Sequence, residues 1–234
     1  AADGAYDVTL SPLSGLWGFG PDGPEQVPAA ADIRQALQRV GLDKLEWAPT
    51  ERLLAKRVEG VAIDFSSIAK GYGVDLGADA LDELGVTDYL LEVGGEIRVR
   101  GESPRGDRWR IAIERPLEGD ARDVQAAVAV TDIGIATSGD YRNFFEVDGV
   151  RYSHLLDPRT GRPIRHDLVS VTVVHPATAI ADAWATALIV LGYDAARALA
   201  DEQQLAVYFV RHQNDGFGVE WTEPMASYLV TDER

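Results

Sequence analysis

The 234-residue chain has no cysteine, one methionine and four histidines. The missing thiols exclude disulfides, thiolate metal sites and a cysteine nucleophile, and they leave the compartment open, because cytosolic chains and disulfide-free exported chains both fit. No apolar run approaches the ~20 residues that span a bilayer. The stretch AADGAYDVTL shows no basic region followed by an apolar one, so neither a membrane anchor nor a signal peptide is read from it. Basic residues are scarce as well: 22 Lys and Arg stand against 38 Asp and Glu, a net charge of -16. Such a balance repels nucleic acid and anionic membranes unless a local basic patch overrides it. The arginine-bearing stretches RVRGESPRGDRWRIAIER and YRNFFEVDGVRYSHLLDPRTGRPIRH alternate charge with strand-like residues, and fit either solvated strand faces or an anion pocket. Internal repeats, low-complexity tracts and charged tails are absent. The dinucleotide fingerprint is absent too, since the glycines of KGYGVDLG fall at spacings of two and four inside a predicted helix.

What remains is a chain with 46% apolar residues, long enough to form one sizeable domain over residues 1–234 with a buried pocket. Residues 21–30 read as a loop leading into a helix, IRQALQRVG, that stops at Gly41. VAIDF, residues 61–65, reads as a strand, and SSIAKGYGVDLGADALDELG as a helix capped by Ser66 or Ser67 and ended by Gly85. A series of strands follows: DYLLEV turning through Gly94 and Gly95 into EIRVRG, then WRIAIERP, VQAAVAV, IGIATSG and a hairpin about Asp148-Gly149. LVSVTVV feeds a long apolar helix; a shorter helix around DAARALADEQ and the strands QLAVYFV and GFGVEWTE close the chain. Strands arrive in hairpins rather than alternating singly with helices, so the expected class is α+β with a mainly antiparallel sheet and packed helices.

The long helix, HPATAIADAWATALIVLG, poses a chemical problem. Between Ala177 and Leu191 its only polar side chains are Thr178, Asp182 and Thr186, spaced four apart, which form one polar stripe on an apolar cylinder. A carboxylate there must sit near solvent, meet a cation or coordinate a metal. Four further stretches join reactive side chains to glycine at junctions between predicted elements: DFSSIAKGYG, LEVGGE, ATSGDYR and SHLLDPRTGRP. Junctions gather at sheet ends, where backbone amides are available to anions, so the four suggest one site built from several loops, although each also reads as an ordinary turn or cap. His154 fits a structural histidine or a general base; Asp157 and Thr160 follow it in a turn that can set a carboxylate and a hydroxyl beside the imidazole.

These stretches also carry a resemblance. DFSSIAKGYGVDLGADALDELGVTDYLLEVGGEIRVRG, SGDYRNFFEVDGVRYSHLLDPRTGRPI and SVTVVHPATAIADAWATALIVLG are similar, in the same order, to the three signature regions of the ApbE family, the FAD:protein FMN transferases, and DVTLSPLSGLWGFGP resembles the segment before the first of them. The resemblance implies a T-fold-like α+β architecture. It implies Mg²⁺-dependent transfer of FMN from FAD to a threonine or serine hydroxyl of a target flavoprotein, with AMP released. The implied metal ligands are the side chains of Asp182 and Thr186 and the backbone carbonyl of Ala69. His154 and Asp182 are then the catalytic residues, His154 on the acceptor side, and Asp64, Lys70, Glu92, Gly94, Gly95, Ser138, Asp157 and Thr160 line the FAD pocket. The implied acceptor is a flavin-carrying subunit of a membrane electron-transport complex, and the implied location is extracytoplasmic, either periplasmic or anchored through a lipoprotein signal. The family's export signal and N-terminal segment precede the region matched here, so the expectation is an N-terminally short member; Ser66-Ser67 replaces small glycine-type residues, in company with Glu96 after the double glycine. Two alternatives share every motif: an FAD pyrophosphatase yielding FMN and AMP, and a non-catalytic FAD-binding domain.

Overall fold

Buried apolar residues recur along the chain from Ala5 to Met225, and the fold follows their burial. The structure, a computed structural model, describes residues 2–19, 26–117, 123–141, 143–213 and 216–230. Two compact units emerge, each drawing on two stretches of chain: unit 1 from residues 1–65 and 143–165, unit 2 from residues 66–142 and 166–234.

Unit 1 contains helices α1 (Ser11–Leu16) and α2 (Ala30–Leu37), a 3-10 turn over Leu42–Lys44 and the hairpin β1 (Leu45–Ala48) with β2 (Leu53–Lys56). Its second stretch of chain adds two more hairpins, described below. Pro12 opens α1, where its missing N–H costs nothing. The core joins Leu13 and Trp17 to Ile33, Ala36 and Val40, and to Phe145 and Leu156 from the later stretch. The Trp17 indole N–H donates to the Gly161 carbonyl at 2.8 Å, so the buried ring has its polar end satisfied.

Unit 2 starts with α3 (Ala69–Glu83) and the hairpin β3 (Tyr89–Val93) with β4 (Glu96–Arg100), turned through Gly94 and Gly95 at φ +63° and +103°. Next come β5 (Trp109–Glu114), β6 (Val124–Val130) and β7 (Ile133–Gly139). The chain then passes to unit 1 for the hairpins β8 (Phe144–Val147) with β9 (Val150–Ser153) and β10 (Leu156–Asp157) with β11 (Arg162–Pro163). Back in unit 2 follow β12 (Leu168–His175), α4 (Thr178–Leu191), α5 (Tyr193–Glu202), β13 (Ala206–Gln213), β14 (Gly216–Trp221) and α6 (Glu223–Ala226). Six strands form one sheet in the order β14-β13-β12-β7-β4-β3, and every pairing between described strands is antiparallel. The fold is α+β with an antiparallel sheet and packed helices, as the hairpin order of the sequence implies.

Strand alternation assigns the two faces of that sheet. Val99, Ile133, Ile135, Val174, Ala206, Tyr208 and Val210 form one core with Ile111, Ile113, Val128 and Val130 of the β5-β6 hairpin. Their alternates, among them Val173, Val207 and Phe209, look to the other face, where α4 lies on β7 and β12 and α3 packs on α4, β3 and β4. This explains why seven of the eight residues of β12 are buried: the strand is covered on both sides.

Several local expectations fail for identifiable reasons. Residues 61–65 join no strand ladder; the Asp64 N–H donates to the Val8 carbonyl at 2.7 Å instead. Neither Ser66 nor Ser67 caps α3, whose N-cap is Ile68 with no side-chain hydrogen bond. The helix read up to Gly41 ends at Leu37, and the Gly41 N–H is taken by Thr9 Oγ1 at 2.6 Å. The exit of α3 is as read: with Gly85 at φ +78°, its N–H reaches the Asp82 carbonyl at 3.0 Å and the Val86 N–H the Leu81 carbonyl at 3.0 Å, a Schellman closure. Residues 21–25 of the expected loop, and Arg142 of the stretch ATSGDYR, lie outside the described residues.

Candidate active site

Helices α3 and α4 cap each other. Neither has a side-chain bond from its own N-cap residue. The Thr178 and Ala179 N–H groups at the start of α4 donate to Asp75 Oδ1 and Oδ2 of α3, each at 2.9 Å. In return, the Gly71 N–H in the first turn of α3 donates to Asp182 Oδ2 at 3.0 Å. The two pairs run in opposite chain order, so the helices are antiparallel with their N-terminal ends side by side, and each dipole is met by a carboxylate of the other. Gly71 permits the approach, since a Cβ there would lie 2.5 Å from the Thr178 carbonyl oxygen.

The stripe seen in the sequence is thereby placed. Thr178 and Asp182 are buried and Thr186 half-buried. Asp182 has one oxygen engaged by Gly71; the other, Oδ1, lies 3.7 Å from the Lys70 ammonium. Lys70 Nζ donates to Glu96 Oε1 at 2.7 Å. Both carboxylate side chains are only 3% exposed, while that of Lys70 is 43% exposed. Glu96 Oε2 is shielded from water and accepts no hydrogen bond. Burial pushes the Glu96 carboxyl above the usual carboxylate value, the hydrogen bond from Lys70 pulls against this, and the charge of Asp182 adds to the rise. One turn on from Asp182, the Thr186 hydroxyl meets the Ser138 hydroxyl at 3.1 Å.

Alternation along the strands accounts for this convergence. Ile97 and Val99 pack against the core shared with β5 and β6, which turns Glu96 and Arg98 toward the helices. There Arg98 donates to the Pro176 carbonyl and stands 3.8 Å from Asp75. By the same rule Ser138 faces α4. Glu92 pairs directly with Ile97 and so takes the sheet face away from Lys70 and Asp182, exposed on the edge strand. The resemblance points to Glu92 for the FAD pocket; in the Lys70–Asp182 cluster it is Glu96 that takes part. The signal was present in EIRVR, where two β-branched residues on one face put the glutamate and an arginine on the other. Gly94 belongs to the cluster through space: a Cβ there would be 3.0 Å from Lys70 Cδ. Ala69 is the first residue of α3, next to Lys70, and Gly95 completes the turn.

The remaining candidates lie in unit 1. His154 donates Nδ1–H to the Asn143 carbonyl at 2.9 Å, and its own N–H goes to the same oxygen at 3.0 Å. A carbonyl only accepts, so this bond places the lone pair of the neutral ring on Nε2, the tautomer of a base. The orienting acceptor is Asn143 rather than the carboxylate suggested by the sequence. Asp157 is held by Arg159, with Nε at 2.9 Å from Oδ1 and Nη2 at 3.0 Å from Oδ2. Thr160 sits in the turn between β10 and β11, its hydroxyl accepting from the Arg162 N–H at 3.3 Å. Asp64 is half-buried in the extended segment already described.

The unit 2 cluster offers oxygen donors alone. Two buried carboxylates and two hydroxyls, with no thiolate or imidazole, suit a hard divalent cation rather than a softer metal. Among the described residues, no group of three or more His, Cys, Asp or Glu is placed to hold a metal. Few protein ligands is the pattern of Mg²⁺, which completes its shell from phosphate and water.

A family model described as ApbE family matches residues 1–209. An FAD:protein FMN transferase of Haemophilus influenzae is 43% identical over 99% of this chain and 68% of its own length, and one of Vibrio cholerae 45% identical over 92% and 64%. Among solved structures, the apo flavinyl transferase ApbE of Pseudomonas stutzeri aligns with a TM-score of 0.85 at 46% identity, over 96% of this chain and 69% of that one. The flavin transferase ApbE of Vibrio cholerae aligns at 0.88 and 40%, over 97% and 72%. The chain thus spans about two thirds of the length of these relatives. Agreement at this level in sequence and fold, across nearly every residue, establishes that the chain belongs to the ApbE family.

Proposed function

We propose that this chain catalyses transfer of FMN from FAD to a threonine or serine hydroxyl of a target flavoprotein, with Mg²⁺ bound and AMP released. The observation that carries the reading is the oxygen cluster on α4: Asp182, nearly fully buried, keeps one oxygen facing a cation, one turn from the Thr186–Ser138 hydroxyl pair. The name FAD:protein FMN transferase, borne by relatives more than 40% identical, supports the same reaction. Asp182, the Thr186 hydroxyl and the Ala69 carbonyl would hold the metal. Bound there, Mg²⁺ supplies charge neutralisation for a pyrophosphate and for its phosphate leaving group.

In the reaction, the acceptor hydroxyl oxygen forms a bond to the phosphorus of the FMN half of FAD. The bond from that phosphorus to the bridging oxygen breaks, and AMP leaves with the bridging oxygen. The hydroxyl proton passes to His154 Nε2, the basic nitrogen of the neutral ring when Nδ1–H is bonded to Asn143. Lys70 supplies a positive charge suited to phosphate, and Gly94 and Gly95 expose turn backbone beside it. The acceptor is a flavin-carrying subunit of a membrane electron-transport complex and the setting is extracytoplasmic; both rest on the family resemblance. No helix among the described residues is long and apolar enough to cross a membrane.

Product analysis separates this reading from its hydrolytic counterpart. With FAD and Mg²⁺, AMP release should depend on an acceptor protein, and FMN should appear on that protein. Free FMN formed at the same rate without acceptor makes the chain a pyrophosphatase, and FAD binding with no AMP makes it a binding domain.

A further inference from the structure

Lys70 stands where a metal ion would be expected to exert its charge. Its ammonium spans two carboxylates, 2.7 Å from Glu96 Oε1 and 3.7 Å from Asp182 Oδ1. Asp182 Oδ2 is engaged by the Gly71 N–H, so Oδ1 is the oxygen left to meet a cation, and the ammonium faces it. A divalent ion on Oδ1 and an ammonium within about 4 Å repel strongly in a buried setting, so the two compete for one seat. The surroundings give the ammonium a place to withdraw to. Glu96 is its closer partner, and Glu96 Oε2, shielded from water, has no hydrogen-bond donor. The Lys70 side chain is 43% exposed and its stem runs beside Gly94, where an added Cβ would lie 3.0 Å from Lys70 Cδ.

We propose that Lys70 is a tethered counter-ion that holds the Asp182 seat when no metal is bound, and that Glu96 is the positioning residue that draws the ammonium aside when a divalent cation enters. The inference rests on the metal reading given under the proposed function and assigns these two residues a role in setting metal affinity. An ion pair held ready in this way leaves no buried charge unpaired in either state: Lys70 answers both carboxylates without metal, and Glu96 alone with it.

The test is Mn²⁺ affinity of the full chain, followed by the electron paramagnetic resonance of the free ion, with no FAD and no turnover. Asp182→Ala is expected to abolish binding; Mn²⁺ bound as in wild type would overturn the underlying metal reading and the inference with it. With that reading intact, Lys70→Met is expected to tighten binding by at least about fivefold, as a repelling charge is removed. Unchanged or weaker binding would overturn the counter-ion role. Glu96→Gln is expected to weaken binding at least about fivefold while Lys70 is present, and much less in the Lys70→Met background. An equal loss in both backgrounds would make Glu96 a direct ligand and overturn its positioning role. Should Lys70→Met fail to fold with Glu96 left unpaired, the double variant Lys70→Met/Glu96→Gln carries the comparison: it is expected to bind more tightly than Glu96→Gln alone, and equal affinity would overturn the proposal.

Discussion

Asp182 has two separable duties, one on each oxygen. Oδ2 caps α3 through Gly71, while Oδ1 faces the cation position. Asp182→Asn can preserve the first and removes the charge needed for the second, so we expect transfer to fall at least about a hundredfold with little change in melting temperature. Asp182→Ala should lose both, because it also strands a buried N–H at a cost of about 1–3 kcal/mol. A melting temperature equal to wild type in the Ala variant would show that the cap contributes nothing. For His154, the bond to Asn143 fixes a tautomer, and His154→Asn should cost at least about a hundredfold in transfer with FAD affinity changed less than about tenfold. A matching loss of FAD affinity would make it a binding residue. His166 acts on stability instead. Burial holds its imidazole below the ordinary 6.5, with the nearby Ile189 carbonyl and the charges of Asp140 and Asp167 pulling the other way. As pH falls through 6.5, the unfolded chain therefore takes up the proton first. Stability at this residue is full above that value and declines below it, until the folded imidazole also protonates. Urea unfolding at pH 7.5 and 5.0 should show a smaller acid loss in His166→Gln than in wild type; an identical loss would remove His166 from the balance. At this scale the sequence disclosed the stripe of Asp182 and Thr186 because helical spacing alone aligns them. Asn143 was hidden because its contribution is a carbonyl, which no side-chain pattern reveals.

At the scale of elements, the reciprocal caps between α3 and α4 decide where the site can form. Asp75 receives two N–H groups from the start of α4, so Asp75→Ala should lower unfolding free energy by about 1–3 kcal/mol in a denaturant titration. The helix pair carries Lys70, Asp182 and Thr186, so the same variant should weaken Mn²⁺ binding without touching the ligands. Unchanged stability would mean that the first turn of α4 is held by its packing alone. Element type and order were largely legible: the strands from Tyr89 through His175 and both long helices follow from period-2 and period-3.6 patterning. The caps were not, because each comes from another helix and is invisible to a search for a local Ser, Thr or Asp. VAIDF reads as a strand from its β-like composition, yet it joins no ladder, and the Asp64 N–H goes to the Val8 carbonyl instead. Glu96 escaped selection because recognising it requires knowing that α3 and α4 cover that face of β4.

Across the whole molecule, the two units interleave in sequence, each assembled from two separated stretches, so no linker composition announces them. The family signatures are distributed over both, with Lys70, Ser138, Asp182 and Thr186 in unit 2 and Asp64, His154, Asp157 and Thr160 in unit 1. A net charge of -16 argues against nucleic acid as partner and leaves recognition of an anionic dinucleotide to local groups such as Lys70. The central claim is covalent transfer of FMN to a protein hydroxyl. Intact mass of a flavin-acceptor domain after incubation with this chain, FAD and Mg²⁺ tests it most directly. The acceptor should gain a mass equal to FMN less one water, and the gain should be absent when chelator replaces Mg²⁺ and when Asp182→Asn replaces the wild-type chain. An acceptor of unchanged mass in the presence of released FMN and AMP would contradict it.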